Sequence, residues 1–319
     1  MVIRVLKHKY LFGVVKDVAD QWLQTDCGLR HDGELRISRQ MIDEYLEDLP
    51  IGIPRQIRFL TQNLRCADDP DRNTVEERAE RFVQLVEEYQ PDLIGTQECT
   101  LQWLQLIESG LSDSNDAFGC SRAGSKSGEE EWNAVFYRKE RCTRMDGDSF
   151  WLSNTPRTAA SKLNYNGYLS ICTLALLQDA ETRKSIFFGN THLQQGQTEF
   201  YREVRARQIE ILLRRLRGKE DRLAKYPGVL TGDFNGEFDE PYYSMITADL
   251  QDAKTAAINN RSAVDYSYHA YGDAQSLIDF CFLSPGRFTV LDYRVLDDQY
   301  GGYVSDQYGI LVTEVLNDR

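Results

Sequence analysis

Three carboxylates, two side-chain amides and one imidazole stand where apolar runs of this chain give way to polar residues. Glu98 closes Thr96-Gln97-Glu98, Asp233 and Asn235 lie in Gly232-Asp233-Phe234-Asn235, and Asp306 follows Ser305. Asn63 leads Asn63-Leu64-Arg65, and His192 falls in Asn190-Thr191-His192-Leu193. Carboxylate oxygens are hard ligands that suit Mg²⁺ or Mn²⁺, ions that keep several waters and bridge to phosphate. The amides of Asn63 and Asn235 can hold a phosphoryl oxygen or a water without adding charge. An imidazole such as His192 can stabilise charge developing on phosphorus, oriented by a nearby carboxylate for which Glu131 is the candidate. The set suits metal-assisted attack on a phosphate ester. Any one of these residues alone would more often be a cap or a turn; their joint placement at strand ends carries the reading.

The elements that must position them alternate strand and helix from Gln56 onward. Ile57–Asn63 reads as a strand, and Thr74-Val75-Glu76-Glu77 as a capping box opening a helix with an apolar stripe of Ala79, Phe82, Val83 and Val86. Pro91-Asp92 ends that helix, and Leu93–Thr96 is a short buried strand. Ala134–Tyr137 is a strand, Ser170–Leu177 and Ser185–Asn190 form a hairpin, and Val204 to Leu216 is a second amphipathic helix. Val229–Thr231, Leu277–Leu283 and Ile310–Val315 complete the strands. So much strand with few helices predicts two packed sheets with helices outside. Residues 1–55 differ. Helix-like stretches at Lys16–Gln24 and Ser38–Leu49 precede the breaker run Pro50-Ile51-Gly52-Ile53-Pro54, which predicts an N-terminal extension joined to a main domain over 56–319.

Composition narrows the partners. The 319 residues carry a net charge of −13, whereas a protein that grips long nucleic acid electrostatically usually presents a basic face. A phosphodiesterase or phosphatase substrate that is a small phosphorylated molecule, headgroup or oligonucleotide is therefore expected over long nucleic acid. The basic run Arg202, Arg205, Arg207, Arg214, Arg215 and Arg217 reads as a solvated helix face. Seven scattered cysteines without a Cys-x-x-Cys pair read as reduced thiols of a cytoplasmic protein. No run approaches the ~20 apolar residues needed to cross a bilayer, so no membrane insertion is expected.

These motifs resemble the endonuclease/exonuclease/phosphatase superfamily from about Ile57 to Val315. The texts that carry the resemblance are Pro91 to Glu98, Phe150-Trp151-Leu152-Ser153, Asn190 to Leu193, Gly232 to Asn235, Ile278-Asp279-Phe280 and Ser305-Asp306. The resemblance implies a four-layer α-β-β-α sandwich of two mixed sheets. It further implies that Glu98 holds the metal with help from Asn63 and Asp306. Asp233 would position or activate the attacking water beside Asn235, and His192 would bind the scissile phosphate. Asp279 would orient a catalytic histidine after Asp306. The acidic residue that abasic-site nucleases carry two places after the Asn is Arg65 here, which argues against a repair nuclease.

That histidine is absent: position 307 is Gln. An amide donates and accepts hydrogen bonds but cannot take up a proton near neutral pH. Losing a general acid or base typically costs ~10²–10⁴ in rate. Asp279 is then expected to accept a hydrogen bond from the Gln307 amide instead. A Trp and an Arg usual before the Ile-Cys-Thr strand are also missing, with Arg157 or Lys162 as candidate replacements. Three explanations of Gln307 stay open: an enzyme relying on Asp233 and metal, a pseudoenzyme that binds a phosphorylated ligand, or an engineered change. His269 is expected to be structural or to line the site. The oligomeric state is not legible.

Overall fold

The computed structural model describes residues 29–31, 34–36, 56–69, 73–124, 131–163, 165, 167–218 and 221–317. The chain divides into two units, Met1–Ile53 and Pro54–Arg319. In the first, strands β1 (Leu29–His31) and β2 (Glu34–Arg36) pair antiparallel. The two helices expected there lie outside the described residues.

The second unit is built on two mixed sheets. One comprises β3 (Gln56–Asn63), β4 (Leu93–Gln97), β5 (Asn115–Phe118), β6 (Val135–Arg138), β12 (Asn259–Asn260), β14 (Phe288–Leu296) and β15 (Gly309–Leu316), in the order β12-β14-β15-β3-β4-β6-β5. The other holds β7 (Cys142–Trp151), β8 (Ile171–Asp179), β9 (Ser185–His192), β10 (Gly228–Asp233), β11 (Gln251–Asp252) and β13 (Asp279–Leu283), in the order β11-β13-β10-β9-β8-β7. The parallel pairs β3–β4 and β9–β10 are each joined through a helix, α1 (Val75–Tyr89) in the first sheet and α3 (Glu199–Leu216) in the second. Helices α2 (Leu101–Leu111), α4 (Arg222–Lys225), α5 (Pro241–Thr247) and α6 (Ala253–Ala256) complete the domain.

The period of two along each strand divides its side chains between layers. On β3, Phe59 enters the core between the sheets while Leu60 packs under α1 and α2. On β9, Phe188 faces between the sheets and Phe187 packs under α3 and α5. Phe59 meets Phe188 edge-on at 5.8 Å, which joins the two sheets. Burying each ring contributes roughly 1.5–3 kcal/mol. The result is the expected α-β-β-α sandwich.

Local signals set the helix ends. Thr74 Oγ1 accepts from the Glu77 backbone N–H at 3.3 Å, and Glu77 returns a bond to the Thr74 N–H at 3.4 Å. Such a cap contributes about 1 kcal/mol. The basic run on α3 departs from a solvated face. Arg205 is fully buried and forked onto Glu240 at 2.7 and 2.6 Å, and Arg215 pairs with Asp148 at 2.6 Å over the Phe150 ring. Helical spacing places a residue on an angular sector, but Glu240 at the start of α5 and Asp148 on β7 draw these two arginines inward.

Near the ends of β4 and β9 the sheets are pinned by polar groups. Asn190 Nδ2 on β9 donates across to the Thr96 and Ala134 carbonyls at 2.7 and 2.9 Å, and its Oδ1 accepts from Gln97 Nε2 at 2.6 Å. Gln97 also reaches Thr61 Oγ1 at 3.1 Å. The sheets approach so closely that a Cβ on Gly95 would sit 2.5 Å from Thr231 Oγ1.

Candidate active site

Six chain segments deliver the site, and the sheet registers explain why they meet. Asn63 is the last residue of β3, and Glu98 directly follows β4, its parallel neighbour. Asp233 ends β10, where it is paired with His192 of β9 on one side and Asp279 of β13 on the other. Because β15 runs antiparallel to β3, the segment leading into it brings Asp306 and Gln307 to the same end. Glu98 and Asn235 both take left-handed backbone conformations (φ 55° and 53°), a conformation costing of order 1–3 kcal/mol for such residues that turns the chain sharply after each strand.

Asn63 and Asp233 are the centre. The buried Asn63 amide donates to Glu98 Oε1 at 3.1 Å and to Asp233 Oδ2 at 2.9 Å, so it spans the two sheets. Asp233 Oδ2 also accepts from Gln307 Nε2 at 3.0 Å, and His192 Nε2 lies 3.5 Å away. Asp233 Oδ1 accepts from the Asn235 backbone N–H at 2.8 Å. Asn235 Nδ2 sits 2.8 Å from His192 Nε2 and donates to the Leu193 carbonyl at 3.0 Å.

Asp279 does not follow expectation. It is buried, and neither of its carboxylate oxygens has a hydrogen-bond partner. The Gln307 amide donates to Asp233 and its Oε1 is unpartnered, so the expected Gln307–Asp279 bond is not formed. Burial, with the Asp233 charge second, raises the Asp279 carboxyl well above its ordinary range.

Glu131 reaches His192 only through a residue that the sequence reading missed. Arg122 pairs with Glu131 at 2.9 Å through Nη1 and approaches His192 Nδ1 at 2.7 Å through Nη2. The candidate cations Arg157 and Lys162 are exposed, and Lys162 Nζ bonds the Gly167 carbonyl at 3.2 Å. Arg122 lies in Ser121-Arg122-Ala123-Gly124, a loop whose composition does not distinguish it from a solvated turn. Its burial was the missing signal. His269 is also buried, stacked between Tyr303 and Tyr308 with ring centroids at 4.7 and 4.1 Å, and burial pushes its imidazole down to about 4.

Among the described residues no group of three or more His, Cys, Asp and Glu has the placement of a metal centre. The oxygens available at the candidate position are those of Glu98 and Asp306, with the Asn63 amide beside them. Burial acts to raise Glu98, while the His192 ring and the bonds from the Cys66 N–H and Asn63 lower it, and the carboxyl is held below its ordinary value. Asp306 is pushed up to about 6, by burial first and the Glu98 charge second, and Arg65 Nε stands no closer than 3.9 Å. Two half-buried carboxylates that repel each other, with hard oxygens and no cation in tight contact, fit a divalent ion of the Mg²⁺ class.

The family model described as the endonuclease/exonuclease/phosphatase family matches residues 60–306. Among solved structures, the chain is similar to the endonuclease/exonuclease/phosphatase from Bacteroides vulgatus, with 26% sequence identity, a TM-score of 0.74 and coverage of 82% of this chain and 100% of that one. It is similar to the mannosyl-6-phosphatase Bt3783 of Bacteroides thetaiotaomicron VPI-5482 at 26% identity, a TM-score of 0.72 and the same coverage. The human Nocturnin catalytic domain shares the fold at 19% identity and a TM-score of 0.65, over 82% of this chain and 94% of that one. No curated protein matches the sequence.

Proposed function

The chain belongs to the endonuclease/exonuclease/phosphatase family, a family of phosphoester-cleaving hydrolases, and we propose that it is a divalent-metal-dependent phosphatase of small phosphorylated molecules. The observation that carries this reading is the hydrogen-bonded convergence of Asn63, Glu98, Asp233, Asn235, His192 and Gln307 from both sheets. Two further observations support the substrate class. The net charge of −13 disfavours long nucleic acid, and a relative aligned over its full length is a mannosyl-6-phosphatase.

Glu98 and Asp306, with Asn63, are the residues to hold Mg²⁺ or Mn²⁺, which when bound neutralises phosphoryl charge and polarises the ester. Asp233 Oδ1 carries a single backbone hydrogen bond and so keeps a lone pair for the attacking water. Its other oxygen is held by Asn63 and Gln307, which fixes the carboxylate plane. His192 and Asn235 face the phosphoryl oxygens as hydrogen-bond donors. Gln307 cannot protonate the leaving oxygen, so turnover is slow for this family and favours esters whose alcohol leaves easily. The cysteine pattern supports a cytoplasmic location, and no described helix is long and apolar enough to cross a membrane.

A second reading, a catalytically silent scaffold that binds a phosphorylated ligand, has two observations in its favour. Gln307 occupies a proton-transfer position, and Asp279 is left unpartnered behind it. The test of substrate class is Mn²⁺-dependent phosphate release from sugar 6-phosphates and nucleoside monophosphates beside nicking of duplex DNA. Release from small monoesters with no nicking is expected. Nicking without monoester turnover would overturn the substrate class, and neither activity would leave the silent scaffold.

A further inference from the structure

Arg122 is held by both its backbone and its side chain. Its backbone N–H donates to the Glu131 carbonyl at 2.8 Å, and its own carbonyl accepts from the Trp151 indole at 2.7 Å. Its side chain is buried, clamped by Glu131 Oε2 on Nη1 and aimed at His192 Nδ1 by Nη2. One buried guanidinium and one half-buried carboxylate are thus committed to a single ring nitrogen.

The polarity of that contact decides the state of the ring. A carboxylate on Nδ1 would favour a proton there and stabilise the imidazolium. A guanidinium has five donors and no acceptor in any orientation, so at 2.7 Å the Nδ1 atom must present its lone pair. The single proton of a neutral ring then sits on Nε2. Asp233 Oδ2 lies 3.5 Å from that nitrogen. Asn235, whose Nδ2 lies 2.8 Å from Nε2, can turn its amide to offer oxygen to an Nε2–H, at the loss of its bond to the Leu193 carbonyl. Arg122 has no such freedom.

We infer that Arg122 is a positioning residue that locks His192 as the neutral Nε2–H tautomer, tethered in turn by Glu131. Resting on the hydrolase reading above, this makes His192 a fixed hydrogen-bond donor to the phosphoryl group and removes it as a source of positive charge or of a transferable second proton. The charge facing the phosphate from this side is then the guanidinium behind the ring. Glu131, Asp233 and Glu98 are the carboxylates around this arrangement, and the first is already neutralised by Arg122.

The test is ¹⁵N NMR of the full chain labelled at histidine, with His192→Gln to assign the signal among the four histidines. The expected result is an Nε2–H ring with an unprotonated Nδ1, unchanged between pH 6 and pH 8. An Nδ1–H tautomer, or a doubly protonated ring at pH 6, would overturn the inference with no variant needed. In Arg122→Met, with the His269 signal confirming the fold, the ring should exchange between tautomers and take up a second proton at pH 6. A spectrum identical to that of the unmodified chain would also overturn it. Arg122→Lys should restore the Nε2–H signature in part, because an ammonium can donate to Nδ1 but lacks the fork that also holds Glu131. With a substrate in hand, kcat of Arg122→Met should fall about 10²-fold, the lower end for losing one hydrogen-bond donor to developing charge. The spectrum needs no turnover, so a locked ring in a silent protein would count against the hydrolase reading alone.

Discussion

The Gln307 amide donates to Asp233 Oδ2 at 3.0 Å, the same oxygen that accepts from Asn63. Gln307 thus braces the carboxylate proposed to position the attacking water. Restoring an imidazole there should supply the missing acid. Gln307→His is expected to raise turnover of an ester with a poor leaving group by ~10² or more, with a smaller effect on p-nitrophenyl esters, whose leaving group needs no proton. Comparing kcat on the two ester types checks this.

Asp306 links pH to metal. Its folded value of about 6 lies above the ordinary carboxylate value of 3.8, so without metal its favourable contribution is present below pH 3.8 and is lost as pH rises through 6. A divalent ion needs the charged form and offsets that loss. The rise in Tm on adding Mn²⁺ should therefore be larger at pH 7.5 than at pH 5. Calorimetry at the two pH values measures it, and Asp306→Asn should flatten the difference.

The sheet-pinning network predicts a steep steric cost at Gly95. A β-branched side chain there would drive atoms into Thr231 Oγ1 and the Asn190 amide, which hold the sheets in register beside the site. Gly95→Val is expected to destabilise by about 3 kcal/mol, from overpacking plus an orphaned amide. Urea denaturation would show it as a lowered midpoint at unchanged slope.

Glu314 on β15 is fully buried, and its carboxylate oxygens have no hydrogen-bond partner. Burial raises its carboxyl well above 4.5. Its contribution is then most favourable at low pH and is lost as pH rises through the folded value. Glu314→Met should be stabilising, by more at pH 8 than at pH 5, measured by the same denaturation at both values.

The sequence made the strands and their polar ends legible because short apolar runs give way there to an amide or a carboxylate, as at Asn63, Glu98 and Asp233. Arg122 and Arg205 could not, since a buried arginine and a solvated one look alike until the partners Glu131 and Glu240 are known. The pairing of Asp279 with position 307 expected from the resemblance assumes a histidine there. An amide has different donors and a different reach, and it turned to Asp233.

The central claim is that Asp233 supports metal-dependent phosphoester hydrolysis without an imidazole at 307. The most direct measurement is Mn²⁺- and Mg²⁺-dependent hydrolysis of p-nitrophenyl phosphate by the unmodified chain and by Asp233→Ala, with metal binding verified for both. We expect slow turnover that needs metal and falls at least ~10²-fold in Asp233→Ala. No turnover in the metal-loaded chain, or turnover indifferent to Asp233, would contradict it.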